Sequence, residues 1–294
     1  MTAPQTHTLE TAGAVVTYDV RPGDGPPLLL IASPMGASGL ASLAARFPDR
    51  TVVTYDPRGA DRSRRTDGAT ESTPEEHADD LSRLIATLDA GPVDVFATSG
   101  GAGNALVLVA RHPEQVRTLV AHEPPAATLL PDRETALAAS RHVHETYLAR
   151  GFGAGMAEFI ALVMHSGPVP DDWAARPAPD PAVFGLPTED DGSRDDVLLG
   201  QNIVSSTHHE YDIESLRAAS TRIVVAVGER SAGQLAHRGG EAVAERLGTT
   251  AVEFPGDHGS FLDSGHGEPA DVDGVAEKLR EVLAASGDRV PAQS

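Results

Sequence analysis

The sequence predicts an α/β protein: a mostly parallel central sheet covered by helices on both faces. Residues 28–32, 93–97, 118–121 and 223–227 are short runs of almost wholly apolar residues, the pattern of strands buried on both faces. Helix-compatible segments lie between strands, which requires crossover connections. A chain of 294 residues is long enough to bury such a core, as one domain with an insertion or as two domains.

In order, 8–14 and 15–20 read as a hairpin joined near Gly13, and the Pro- and Gly-rich loop 21–26 ends it. Strand 28–32, a short helix over 39–47 and strand 51–55 follow. Thr73-Pro74-Glu75-Glu76 combines an N-cap, a proline at the first helical position and early acids, opening a helix that runs to Leu88. Strand 93–97, helix 103–111 and strand 118–121 continue the alternation, which stops at Glu123-Pro124-Pro125. Helices are expected over 133–150 and 157–164, then a Pro- and Asp-rich stretch over 165–191 too irregular for a core element. The sheet resumes with strand 223–227, helix 233–247, strand 251–254 and helix 272–285. This divides the chain into a core (1–125 and 219–286), a helical cap (126–218) inserted after the sixth strand, and a loose tail (287–294).

Composition excludes several chemistries. With no cysteine there is no disulfide, thiolate metal site or cysteine nucleophile. The formal charge of −20 argues against nucleic acid and anionic membranes as partners. The N-terminus has no basic region followed by an apolar run, and no uninterrupted apolar stretch approaches a membrane span, so a cytoplasmic protein is expected.

The chemistry points to Ser99. In Val95-Phe96-Ala97-Thr98-Ser99-Gly100-Gly101, a strand ends at a serine and a helix-compatible run begins. A nucleophile elbow turns so sharply that the positions two before and two after the nucleophile must be small. Ala97 and Gly101 satisfy this, although alanine stands where the usual Gly-x-Ser-x-Gly pattern has glycine. A Gly/Ser-rich turn with no catalytic role would have the same composition. Of the twelve histidines, His258 follows the last expected strand in Gly256-Asp257-His258-Gly259, so topology carries it to the sheet edge where Ser99 lies. His208 and His209 are adjacent and point apart, and no carboxylate cluster accompanies them as metal ligands; no metal or other cofactor is expected. His122, His142, His144 and His165 read as cap or surface residues. Oxyanion donors are the amides of Gly100 and of Met35, since Pro34 has no N–H.

Together these motifs resemble the α/β-hydrolase fold superfamily, of the capped serine-hydrolase type. The matching pieces are Ser33-Pro34-Met35-Gly36, Asp56-Pro57-Arg58-Gly59, the Ser99 elbow, Arg111-His112-Pro113-Glu114 and Gly256-Asp257-His258-Gly259. The resemblance implies that Asp56 and Arg58 tie the loop near the site. It also implies a triad acid, often the fourth residue of a Gly-x-x-Asp turn. Here that turn is Gly228-Glu229-Arg230-Ser231, which lacks the aspartate. Some relatives place the acid one strand earlier, which selects Glu123 first, Glu229 second and Asp257 third.

The expected function is hydrolysis of a carboxylic ester, thioester or lactone of a small apolar substrate through an acyl-enzyme on Ser99. Alternatives are a non-hydrolytic enzyme of the fold (perhydrolase or haloperoxidase, C–C hydrolase, lyase or cyclase) and a ligand-binding protein without catalysis. Phe152, Met156, Phe159, Met164, Trp173 and Phe184 could line an apolar pocket or form the cap's own core. Gly151, Gly153 and Gly155 suggest a bend. A homodimer is compatible with all of this.

Overall fold

Among the described residues nine strands form one sheet, and the chain's apolar runs occupy its middle. The computed structural model describes residues 3–262 and 270–285; the expected tail lies outside them. The strands are β1 (Gln5–Thr11), β2 (Ala14–Arg21), β3 (Gly25–Ser33), β4 (Arg50–Asp56), β5 (Arg64–Arg65), β6 (Val93–Ser99), β7 (Val116–His122), β8 (Arg222–Gly228) and β9 (Val252–Phe254). Their order is β1-β2-β4-β3-β6-β7-β8-β9, with the two-residue β5 beside β2. β1, β2 and β5 pair antiparallel, and every pair from β4 to β9 is parallel. Because β5 was not anticipated, the insertion follows the seventh strand and not the sixth.

The helices are α1 (Ala41–Ala45), α2 (Pro74–Leu88), α3 (Gly100–Arg111), α4 (Arg133–Met164), α5 (Ile203–Thr207), α6 (Ile213–Ala218), α7 (Leu235–Leu247) and α8 (Val272–Ala284). One core joins one face of the sheet (Leu29, Ile31, Val95) to α2, α3 and α7 through Leu81, Leu106 and Val243. A second joins the other face (Leu28, Leu30, Phe96) to α1 and α8 through Leu43 and Leu279. α2 begins where its capping box dictates: Thr73 Oγ1 accepts from the Glu76 N–H, and the Glu76 carboxylate accepts from the Thr73 N–H.

Between β7 and β8 the described chain contributes helices and turns but no strand to the sheet. α4 is two helices broken at Gly151, whose φ of 84° only glycine adopts without strain. By length and composition α4 could cross a membrane, although charged residues such as Arg150 and Glu158 interrupt its apolar stretch. Its apolar residues Ala136, Val143, Tyr147 and Leu162 instead pack into a third core with Trp173, Leu199 and Ile203. The stretch 165–191 forms only short turns of helix, as its irregular composition implies, yet Val169 and Trp173 within it are buried.

Candidate active site

The strand order reverses at β3, which has β4 on one side and β6 on the other. Crevices at the carboxyl ends of strands flanking such a switch point are where open α/β sheets hold ligands. Ser33 at the end of β3 pairs in register with Ser99 at the end of β6. Ser99 has φ 56° and ψ −134°, a region that costs a non-glycine residue roughly 1–3 kcal/mol. The turn is held by close packing of α3 on β3. A Cβ on Gly101 would lie 2.9 Å from the Ala32 Cα, and one on Gly100 would lie 2.8 Å from the Ser33 carbonyl oxygen.

One strand further on, Glu123 follows β7, also at positive φ (48°). Its N–H donates to the Ala226 carbonyl at 2.9 Å, which locks the residue against β8. The carboxylate is buried, and both oxygens are occupied. Oε2 lies 2.5 Å from His258 Nδ1; Oε1 accepts from the Gly228 N–H at 2.9 Å and from the Ser231 hydroxyl. His237 Nδ1 lies 3.7 Å from Oε1. Burial alone would raise the Glu123 pKa, but the neighbouring His237 and His258 hold it well below the ordinary glutamate value. Burial works against a charged His258, yet the hydrogen bond and charge of Glu123 prevail and raise its pKa.

His122 is no surface residue. It ends β7 in register with Thr98, its Nδ1 lies 2.9 Å from the Thr98 hydroxyl, and its ring stacks on His258 with centroids 5.9 Å apart. Burial pushes its pKa down to about 4, so the ring beside His258 is neutral. The ligand atoms of His122, Glu123 and His258 lie within 4.8 Å of one another, a spacing a cation could use. The oxygens of Glu123 already have hydrogen-bond donors, however.

The structure therefore joins Glu123 to His258, and His122 touches both the His258 ring and Thr98, the residue before Ser99. It does not bring in the other two acids. Glu229 is exposed, and Asp257 accepts from Gly259 N–H and Ser260 Oγ inside its own turn. Asp56 does tie the loop after β3, its Oδ1 accepting from the Ala37 N–H at 2.8 Å, whereas Arg58 reaches away to Asp80 and Glu76 of α2. His208 and His209 face different partners, Arg141 and Glu75. Gly100 lines a cleft of about 60 Å³ with Ser33, Pro34 and Ser99; the Met35 side chain packs instead on the second core. Of the six apolar residues expected to form either a pocket or a core, Phe159 lines this cleft. Phe152, Met156 and Trp173 belong to the insertion's core, Met164 is exposed and Phe184 half-buried.

A family model described as the alpha/beta hydrolase fold matches residues 32–182, about half of the chain. The chain is 31% identical over 263 residues to YraK of Bacillus subtilis strain 168, an uncharacterized hydrolase, covering 86% of this chain and 89% of that protein. The chain belongs to the α/β-hydrolase family. This hydrolase is also 31% identical over 174 residues to the 2-(acetamidomethylene)succinate hydrolase of Mesorhizobium japonicum, covering 55% of this chain and 62% of that one. Its fold is shared with a thermophilic esterase from Thermogutta terrifontis at a TM-score of 0.66 and 19% identity, over 97% of this chain and 99% of the other.

Sequence reasoning missed three residues around the site of this α/β-hydrolase: Ser231, His237 and His77. Ser231 occupies the place where the family's aspartate was sought, and its hydroxyl donates to Glu123. His77 lies on the apolar face of α2, with Ala78, Leu81 and Leu84, a periodicity that marked it as buried.

Proposed function

We propose that this α/β-hydrolase cleaves a carboxylic ester, thioester or lactone through an acyl-enzyme on Ser99. One observation carries the reading. A carboxylate buried to 1% exposure is bonded to the ring of His258, at the end of the strand next to the one that the strained serine ends. In this mechanism Ser99 Oγ attacks the substrate carbonyl while His258 Nε2 takes its proton. The amides of Gly100 and Met35 hold the oxyanion, and His258 returns the proton to the leaving group. Water, deprotonated by the same imidazole, then releases the acid. Glu123 fixes the ring with Nδ1–H toward itself, leaving the Nε2 lone pair for proton transfer. Relatives named as hydrolases support hydrolysis over the other chemistries the fold can house. Residues 126–218 serve as the cap over this edge, and the enzyme acts on a small molecule in the cytoplasm.

Intact-mass analysis after exposure to a fluorophosphonate tests the reading without knowledge of the substrate, because the probe reports an activated serine beside an oxyanion site. One adduct is expected on the native protein, none on Ser99→Ala and slowed formation on His258→Ala. A folded native protein that forms no adduct would refute acyl transfer on Ser99.

A further inference from the structure

The cleft beside Ser99 has mostly apolar walls, but two polar side chains with unmatched buried atoms border it. His77 and Asn104 line it, at 1% and 2% exposure, and each carries a buried nitrogen without a hydrogen-bond partner among the described residues: His77 Nδ1 and Asn104 Nδ2. The sense of each atom follows from its surroundings. Asn202 Nδ2 donates to the Val197 carbonyl, so its Oδ1 faces His77 and accepts from His77 Nε2–H at 2.9 Å. Burial lowers the His77 pKa and keeps the ring neutral, which leaves Nδ1 a bare acceptor. Asn104 Nδ2 is a donor. Buried polar atoms left unmatched cost about 1–3 kcal/mol each, and native proteins carry few of them.

From these atoms we infer that the cleft is the subsite for a short acyl group bearing a hydroxyl, which donates to His77 Nδ1 and accepts from Asn104 Nδ2. A hydroxyl supplies both functions at once and an alkyl chain neither. A carboxylate would set its charge against the lone pair of the neutral His77, and among the described residues no Asp, Glu, Lys or Arg lines the cleft to balance it. The volume of about 60 Å³ holds roughly four or five water-sized groups, enough for a hydroxylated acyl chain of a few carbons. This inference rests on acyl transfer at Ser99 and replaces the small apolar substrate expected from sequence with a small hydroxylated one.

The test compares N-acetylcysteamine thioesters of butyrate, 2-hydroxybutyrate and 3-hydroxybutyrate, with the fluorophosphonate adduct measured in parallel. The better hydroxyacyl thioester should exceed the butyryl thioester in kcat/KM by about 100-fold or more, since a site built for a hydroxyl strongly rejects its absence. Asn104→Leu and His77→Phe should shrink that ratio to within a few-fold, with thermal unfolding checking that each variant folds. Should either variant fail to fold, calorimetry on Ser99→Ala decides: the matching hydroxybutyramide should bind at least about tenfold tighter than butyramide. Adduct formation together with equal handling of hydroxylated and plain ligands overturns the subsite alone. Absence of both adduct and turnover overturns the acyl-enzyme reading and the subsite with it.

Discussion

Glu123 is the residue on which the site's electrostatics turn. Its low pKa and the raised pKa of His258 are two views of one hydrogen bond, because charge on either partner stabilises charge on the other. The proposed base is active only when neutral, so kcat/KM rises with pH through the raised His258 value, which lies above the ordinary 6.5. Glu123→Gln removes the charge that does the raising. The rising limb should move to lower pH while kcat falls by about 10³–10⁴; a pH–rate profile that keeps its limb in place would contradict this. Ser231→Ala should have a smaller effect in the same direction, about tenfold in kcat, because Glu123 loses a hydroxyl donor but keeps the Gly228 N–H. Strand order made it legible that acids after β7, β8 and β9 share an edge with His258, but only the resemblance to relatives with an earlier acid put Glu123 ahead of Glu229 and Asp257. Ser231 was illegible, because sequence marks a missing aspartate without saying what a serine in its place will touch. His122 was misread for a related reason. Nothing in its sequence neighbours reveals that Thr98 and the His258 ring, distant along the chain, enclose it.

At the scale of elements, boundaries were legible wherever local chemistry decides them. Thr73, Pro74 and Glu76 fix the start of α2 through their own hydrogen bonds and a preset φ. The kink at Gly151 was foreshadowed by three closely spaced glycines. Trp173 was foreseen as a pocket or core residue, but which of the two was not legible, since its burial depends on α4 and the turn Val197–Asn202 closing over an irregular stretch. The seating of α3 on β3 depends on absent side chains. Gly101→Val should destabilise the fold by about 1–3 kcal/mol in urea unfolding, because its side chain meets the Ala32 backbone, which cannot yield as a rotamer would. The loop after β4 is anchored to α2 by Arg58, whose guanidinium bonds both oxygens of Asp80 and is, like Asp80, 1% exposed. Arg58→Met would strand that carboxylate in the interior and should cost about 3–5 kcal/mol on the same measurement.

The whole molecule carries a formal charge of −20, so like charges repel one another across its surface. Raising NaCl from 0.01 to 0.15 M shortens the Debye length from about 30 to about 8 Å, so the melting temperature should rise over that range. A fall would mean that attractive surface pairs dominate the field. The architecture as a whole was readable because a parallel sheet writes itself as repeated apolar runs. The polarity of the cleft was not, since His77, Asn104 and Asn202 stand on three separate elements and only folding makes them neighbours. The positive φ at Ser99 also has a consequence for stability. Glycine would relax that turn, so Ser99→Gly should melt a few degrees higher even as turnover disappears. Serine at this position therefore holds its hydroxyl at the expense of thermal robustness that glycine would restore.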